Sequence, residues 1–117
     1  MTSDDAPDVL TVVQERLQAL EEQIRQRPII VPIQSLEPSP VEVTQAILAV
    51  VRGEDGAFIA SFLDANINAS GETQLDAVEM LKDVIASSFQ LFVSKESVLG
   101  EEPKRQLAVL RHFLRTP

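Results

Sequence analysis

Between residues 57 and 92 the hydrophobic pattern of this chain switches from a two-residue to a helical period, and that order limits what it can fold into. The run 57–63 places Phe58, Ala60 and Phe62 on one face, because side chains alternate across a strand. Ile67 and Ala69 continue the alternation in a further short strand. Ser70-Gly71-Glu72-Thr73 then opens a helical stretch reaching about Phe92. In it Ala77, Val78, Leu81, Val84, Ile85, Ser88, Phe89 and Phe92 share one stripe. Thr73 and Asp76 have capping-box spacing, with Asp in place of the usual Glu. Strands with one apolar face, followed by a helix with one apolar stripe, specify a sheet covered by that helix.

Upstream, residues 43–52 read as the clearest strand. Ile47, Leu48, Val50 and Val51 are apolar on both parities, the pattern of a central strand covered on both faces. Gly53-Glu54-Asp55-Gly56 is a turn signal, so 43–52 and 57–63 are expected to form a hairpin. The expected fold is α+β: a small antiparallel β-β-β-α domain over residues 44–92. Leu81 and Ile85 of its helix should face Val50, Phe58 and Phe62.

The flanks have their own grammar. In residues 1–27, Leu10, Val13, Leu17, Leu20 and Ile24 are spaced 3, 4, 3, 4. That is a short heptad seam, with Arg16 and Glu21 at the g and e positions that attract across a parallel pair of helices. The seam suits either self-assembly or docking on the chain's own body. Residues 28–43 hold Pro28, Pro32, Pro38 and Pro40, so Ile29–Ile33 is an edge strand or an extended arm. Residues 93–117 read as a loop to Gly100 and a helix near Pro103, with Leu107, Leu110, Phe113 and Leu114 on its apolar side.

Composition removes whole classes of function. The chain has 117 residues and no cysteine, which excludes disulfides, thiolate metal sites and thiol nucleophiles. Its longest apolar run, 46–51, is too short to span a bilayer, and the acidic start Met1-Thr2-Ser3-Asp4-Asp5 is unlike a signal peptide. A cytoplasmic protein without membrane contact is expected. Asn68-Ala69-Ser70 then has no bearing as a glycosylation acceptor.

No catalytic set is legible. Asp64, Asn66 and Asn68 alternate like calcium ligands, but Ala69 and Leu75 stand where the loop needs glycine and a bidentate acid. Ser61, Ser70, Ser87 and Ser88 have no evident base, and His112 lies between Arg111 and Arg115. No enzyme activity, cofactor, metal ion or small-molecule substrate is expected. Lys104, Arg105, Arg111 and Arg115 make the only basic patch, without an aromatic platform, so direct nucleic-acid binding is not expected.

The net charge is −8, and residues 37–99 carry ten acids against three bases. Such a surface repels phosphate backbones and suits a basic protein. Asp76, Glu79 and Asp83 recur at helical spacing opposite the apolar stripe, either as a solvated face or as a docking face for that partner.

The span from Thr44 to Phe92 resembles the HicB-type antitoxin family. The resemblance is carried by Gly56-Ala57-Phe58-Ile59-Ala60, Leu63-Asp64, Ala69-Ser70-Gly71-Glu72-Thr73, Leu75-Asp76-Ala77-Val78 and Leu81-Lys82-Asp83. It covers less than half of the chain. It implies a degenerate ribonuclease H-like core without catalytic acids, which neutralises a small basic ribonuclease toxin. Many members add a C-terminal DNA-binding domain, for which the residues after 92 leave no room. The combination is similar to stand-alone HicB-like proteins of cyanobacteria. Two functions follow as expectations. One is a non-enzymatic, antitoxin-type binder of a small basic protein through Asp76, Glu79 and Asp83. The other is a structural module that assembles as a homo-oligomer through Leu10, Val13, Leu17, Leu20 and Ile24.

Overall fold

The structure, a computed structural model, describes residues 12–17 and 27–117. Residues 12–17 are helical. The elements that follow are β1 (Ile29–Ile33), β2 (Glu42–Val43), β3 (Ile47–Glu54), β4 (Ala57–Phe62), β5 (Ile67–Gly71), α1 (Gln74–Ser94), α2 (Glu101–Leu110) and β6 (Leu114–Arg115). Short 3-10 turns occupy Leu63–Ala65 and Glu96–Val98. The fold is α+β, with a four-stranded antiparallel sheet in the order β1-β3-β4-β5 and α1 laid across it.

The β3–β4 hairpin shows how local chemistry sets register. Glu54 pairs with Ala57, so the turn is only Asp55-Gly56, and Gly53 and Glu54 belong to the strand. Both turn residues have positive φ, 49° at Asp55 and 80° at Gly56. An Asp-Gly pair meets that requirement at little steric cost, and such a turn matches the twist of its flanking strands. β5 returns antiparallel to β4 after Asn66, whose φ of 53° closes the 3-10 turn.

Ile29–Ile33 joins the sheet as its fourth strand, pairing with β3 from Ile29↔Val51 to Ile33↔Ile47. Proline is tolerated there because an edge strand leaves one side of its backbone without a neighbour, and Pro32 can turn its nitrogen outward. The seven residues from Gln34 to Pro40 then cross to Val41, which is buried with Leu36.

The core lies between the sheet and α1. Ile47, Ala49 and Val51 of β3, Ala60 and Phe62 of β4 and Ile67 of β5 face Ala77, Leu81, Ile85 and Phe89 of the helix. Leu81 and Ile85 are fully buried, as the stripe requires. Their partners on β3 are Ala49 and Val51, not Val50, which lies on the opposite parity and is half-buried. Val84, Ser88 and Phe92 sit at the margins of the stripe, and Ala86 is buried beside it.

The expectation that β3 is covered on both faces is wrong. β3 is central in the sheet, yet Leu48 is 56% exposed, because α1 covers one face and no described element lies on the other. An apolar residue on each parity records only that both faces hold apolar side chains, not that both are covered.

The C-terminal segment departs from expectation as well. α1 runs through Ser94, and the connection after it is a 3-10 turn, not a featureless loop. α2 starts at Glu101, placing Pro103 in the first turn, where a missing N–H costs nothing. It ends at Leu110, so Phe113 and Leu114 are not helical. Leu114 instead pairs with Val43 in the small β2–β6 sheet, and Phe113 packs edge-on against Phe62 with ring centroids 5.1 Å apart. Leu107, Leu110 and Leu114 thereby join the same core as Ile33, Leu36 and Val41.

Candidate functional site

The acidic face of α1 is built from its first turn. Thr73 stands in extended conformation before the helix, and the Asp76 backbone N–H donates to its Oγ1 at 3.0 Å. That hydrogen bond satisfies one of the donors the helix leaves open and fixes where its helical period begins. Once the phase is set, burial of Ala77, Leu81 and Ile85 turns Asp76, Glu79 and Asp83 to solvent. Gly71 allows the strand to deliver the chain to this start. A Cβ there would lie 2.5 Å from the Ala77 nitrogen and 2.7 Å from the Asp76 carbonyl carbon. The glycine in the Ala69–Thr73 motif is therefore a close-approach residue between β5 and α1.

All three predicted acids are exposed on one side of the helix, with Met80 among them at 49% exposure. Glu79 is within 3.7 Å of Lys82. Among the described residues the carboxylates of Asp76 and Asp83 make no ion pair. Asp76 also stands in the first helical turn, where the N-terminal dipole favours an anion.

Of the five seam residues, Val13 and Leu17 lie within the described helical stretch and are 46% and 53% exposed. Leu10, Leu20 and Ile24 lie outside the described residues, as does Glu21 of the expected charge pair. The two that are described are thus about half exposed.

The basic patch is largely neutralised from within. Arg105 is bonded to Glu102 at 2.7 Å, Arg111 to Glu96 at 2.6 Å and Arg115 to Glu42. The hydrogen bonds from Arg111 hold the Glu96 carboxyl below its ordinary range, and those from Arg105 do the same for Glu102. Arg105 and Gln106 also donate to the carbonyls of Asp64 and Ala65, tying α2 to the turn before β5. Polar residues at these spacings look like a solvated helix face, so sequence reasoning missed this clamp. His112 is exposed just after α2.

Among the described residues no group of three or more histidine, cysteine or acidic side chains could hold a metal ion, and no helix is long and apolar enough to cross a membrane. Comparison with protein-family models, curated proteins and solved structures gives no match.

Proposed function

We propose that this chain is a non-enzymatic protein-binding module of the HicB-like kind, which engages a small basic protein through the exposed face of α1. The observation that carries this reading is the outward alignment of Asp76, Glu79 and Asp83 on a capped helix, with two of the three carboxylates in no ion pair among the described residues. The resemblance of residues 44–92 to the HicB-type antitoxins supplies the class of partner, a toxin-like basic ribonuclease. Complementary charge would act mainly by speeding encounter and rejecting acidic competitors. The paired state of Arg105, Arg111 and Arg115 argues against a phosphate backbone as the ligand. A cytoplasmic setting goes with this reading, since a chain without cysteine has no need of an oxidising compartment.

The test is capture from a lysate of the source cells, with identification by mass spectrometry. The immobilised chain should retain a small basic protein whose recovery falls as salt is raised. The triple variant Asp76→Lys, Glu79→Lys, Asp83→Lys should lose it while keeping the helical circular dichroism of the parent. Equal retention by both proteins would refute the acidic face as the docking surface.

A second reading is favoured by the exposure of Val13 and Leu17 in a helical segment. Apolar residues at heptad spacing that remain this exposed suit a partner helix, and an identical helix supplies the matching seam. The chain would then also be a homo-oligomer, most simply a dimer. The two readings are compatible, because they use different surfaces.

A further inference from the structure

The open face of the sheet has no role in either reading of the acidic helix or the seam. Register places Ile30 and Pro32 of β1, Leu48, Val50 and Arg52 of β3, Ile59 and Ser61 of β4, and Asn68 and Ser70 of β5 on this face. Ile30 lies opposite Val50, and Pro32 opposite Leu48, so the apolar members are contiguous. Ile30 is 64% exposed and Leu48 56%. The face is also neutral. Its charged strand residues are Arg52 and Glu54, which pair with each other at 3.5 Å.

We propose that this face is buried against the same face of a second copy, making a two-layer sandwich continuous with a paired N-terminal seam. Three observations favour a second copy. The first is charge. A molecule of net charge −8 repels its own kind over most of its surface, but not across this face, where the strand charges cancel. The second is connection. Four residues separate Ile24, the last seam position, from Ile29, the first residue of β1, a reach of at most about 18 Å. Helices in a parallel pair lie about 8–10 Å apart, and stacked sheets lie about 10 Å apart. A paired seam is thus compatible in reach with β1 strands that enter two stacked sheets. The third is the blunted edge. Pro28, Ile30 and Pro32 share one parity, so the outward side of β1 offers a single N–H, that of Ile30, between two prolines. Extension of the sheet through its β1 edge is therefore disfavoured.

The proposal rests on the assembly reading of the N-terminal seam, and the experiment separates the two. Mass is measured by light scattering and dissociation by analytical ultracentrifugation, for the full chain and for Leu17→Glu, Leu48→Glu, Ile30→Glu and Asp83→Lys. Leu48 and Ile30 are exposed, so the glutamates should leave the helical circular dichroism unchanged. The wild type should be a dimer. Leu48→Glu and Ile30→Glu should each weaken it by about 100-fold, because like charges would meet across the two-fold axis. Asp83→Lys, on the far side of the layer, should leave it intact. Because the chain has no cysteine, Ser61→Cys supplies a single probe, and copies carrying it should cross-link through a short bis-maleimide, whereas those carrying Asp83→Cys should not. A dimer lost with Leu17→Glu but unaffected by Leu48→Glu and Ile30→Glu would overturn the sandwich and leave the seam. A dimer lost only with Leu48→Glu and Ile30→Glu would support the sandwich and refute the seam. A monomeric wild type would overturn both, and mass that rises only on adding a different captured protein would assign the face to that partner.

Discussion

Along β3, Ile47, Ala49 and Val51 are buried beneath α1, whereas Leu48, between two of them in sequence, is 56% exposed. Both faces of the strand thus carry apolar residues, but only one of them is covered, and the open one adds the Arg52–Glu54 pair at its end. On one side the stripe of α1 supplies Leu81, Ile85 and Phe89 at helical spacing, and the layers interlock. On the other, among the described residues, nothing has been laid down. The lesson is that apolar alternation reports which surfaces would gain from burial, while the connection of the chain decides which of them are buried within one subunit.

The sharpest way to break this comparison is to truncate one residue on each side. Leu81→Ala should cost about 2–5 kcal/mol, since Leu81 is fully buried and its loss leaves a cavity. Leu48→Ala should cost less than about 1 kcal/mol in the monomer. If the open face is taken by a second copy, the urea midpoint of Leu48→Ala should fall further below wild type as protein concentration rises. Equal costs for the two variants, independent of concentration, would mean that the faces are not different in the way described.

A smaller effect tests how closely the covered side is fitted. Gly71→Ala should destabilise by roughly 1–3 kcal/mol, because the new methyl meets the backbone of α1 and not a side chain able to move. A melt unchanged by this substitution would show that β5 can retreat from the helix start without cost.

The smallest effect concerns the surface ion pairs that hold α2. The Glu96 carboxyl is held below its ordinary range chiefly by the hydrogen bonds from Arg111. A carboxyl whose pKa is lower in the folded state contributes stability above its unfolded pKa, and loses it as pH falls through the folded value. Glu96→Gln should therefore lower stability slightly near neutral pH and bring the two proteins together in acid. Added salt should shrink the difference, because the pair is exposed. A gap that widened in acid would contradict the assignment.

Much of the fold was legible because its signals are local. The Asp55-Gly56 turn, the Thr73 cap and the stripe from Ala77 to Phe89 depend on neighbours within a few residues, and their conformations follow from steric limits and period. The outward placement of Asp76, Glu79 and Asp83 follows from the same helical phase. Features that join distant segments were not legible. Ile29–Ile33 pairs with β3 across the stretch from 34 to 46, and Leu114 with Val43 across most of the chain. Gln106 finds the Ala65 carbonyl 41 positions away. No local period encodes such pairings, since their free energy comes from surfaces that meet only after the chain has collapsed. The apolar character of Leu48 and Val50 was therefore determined by sequence alone. That α1 covers the other side of β3, and leaves these two outside, was decided by the order in which the strands were joined.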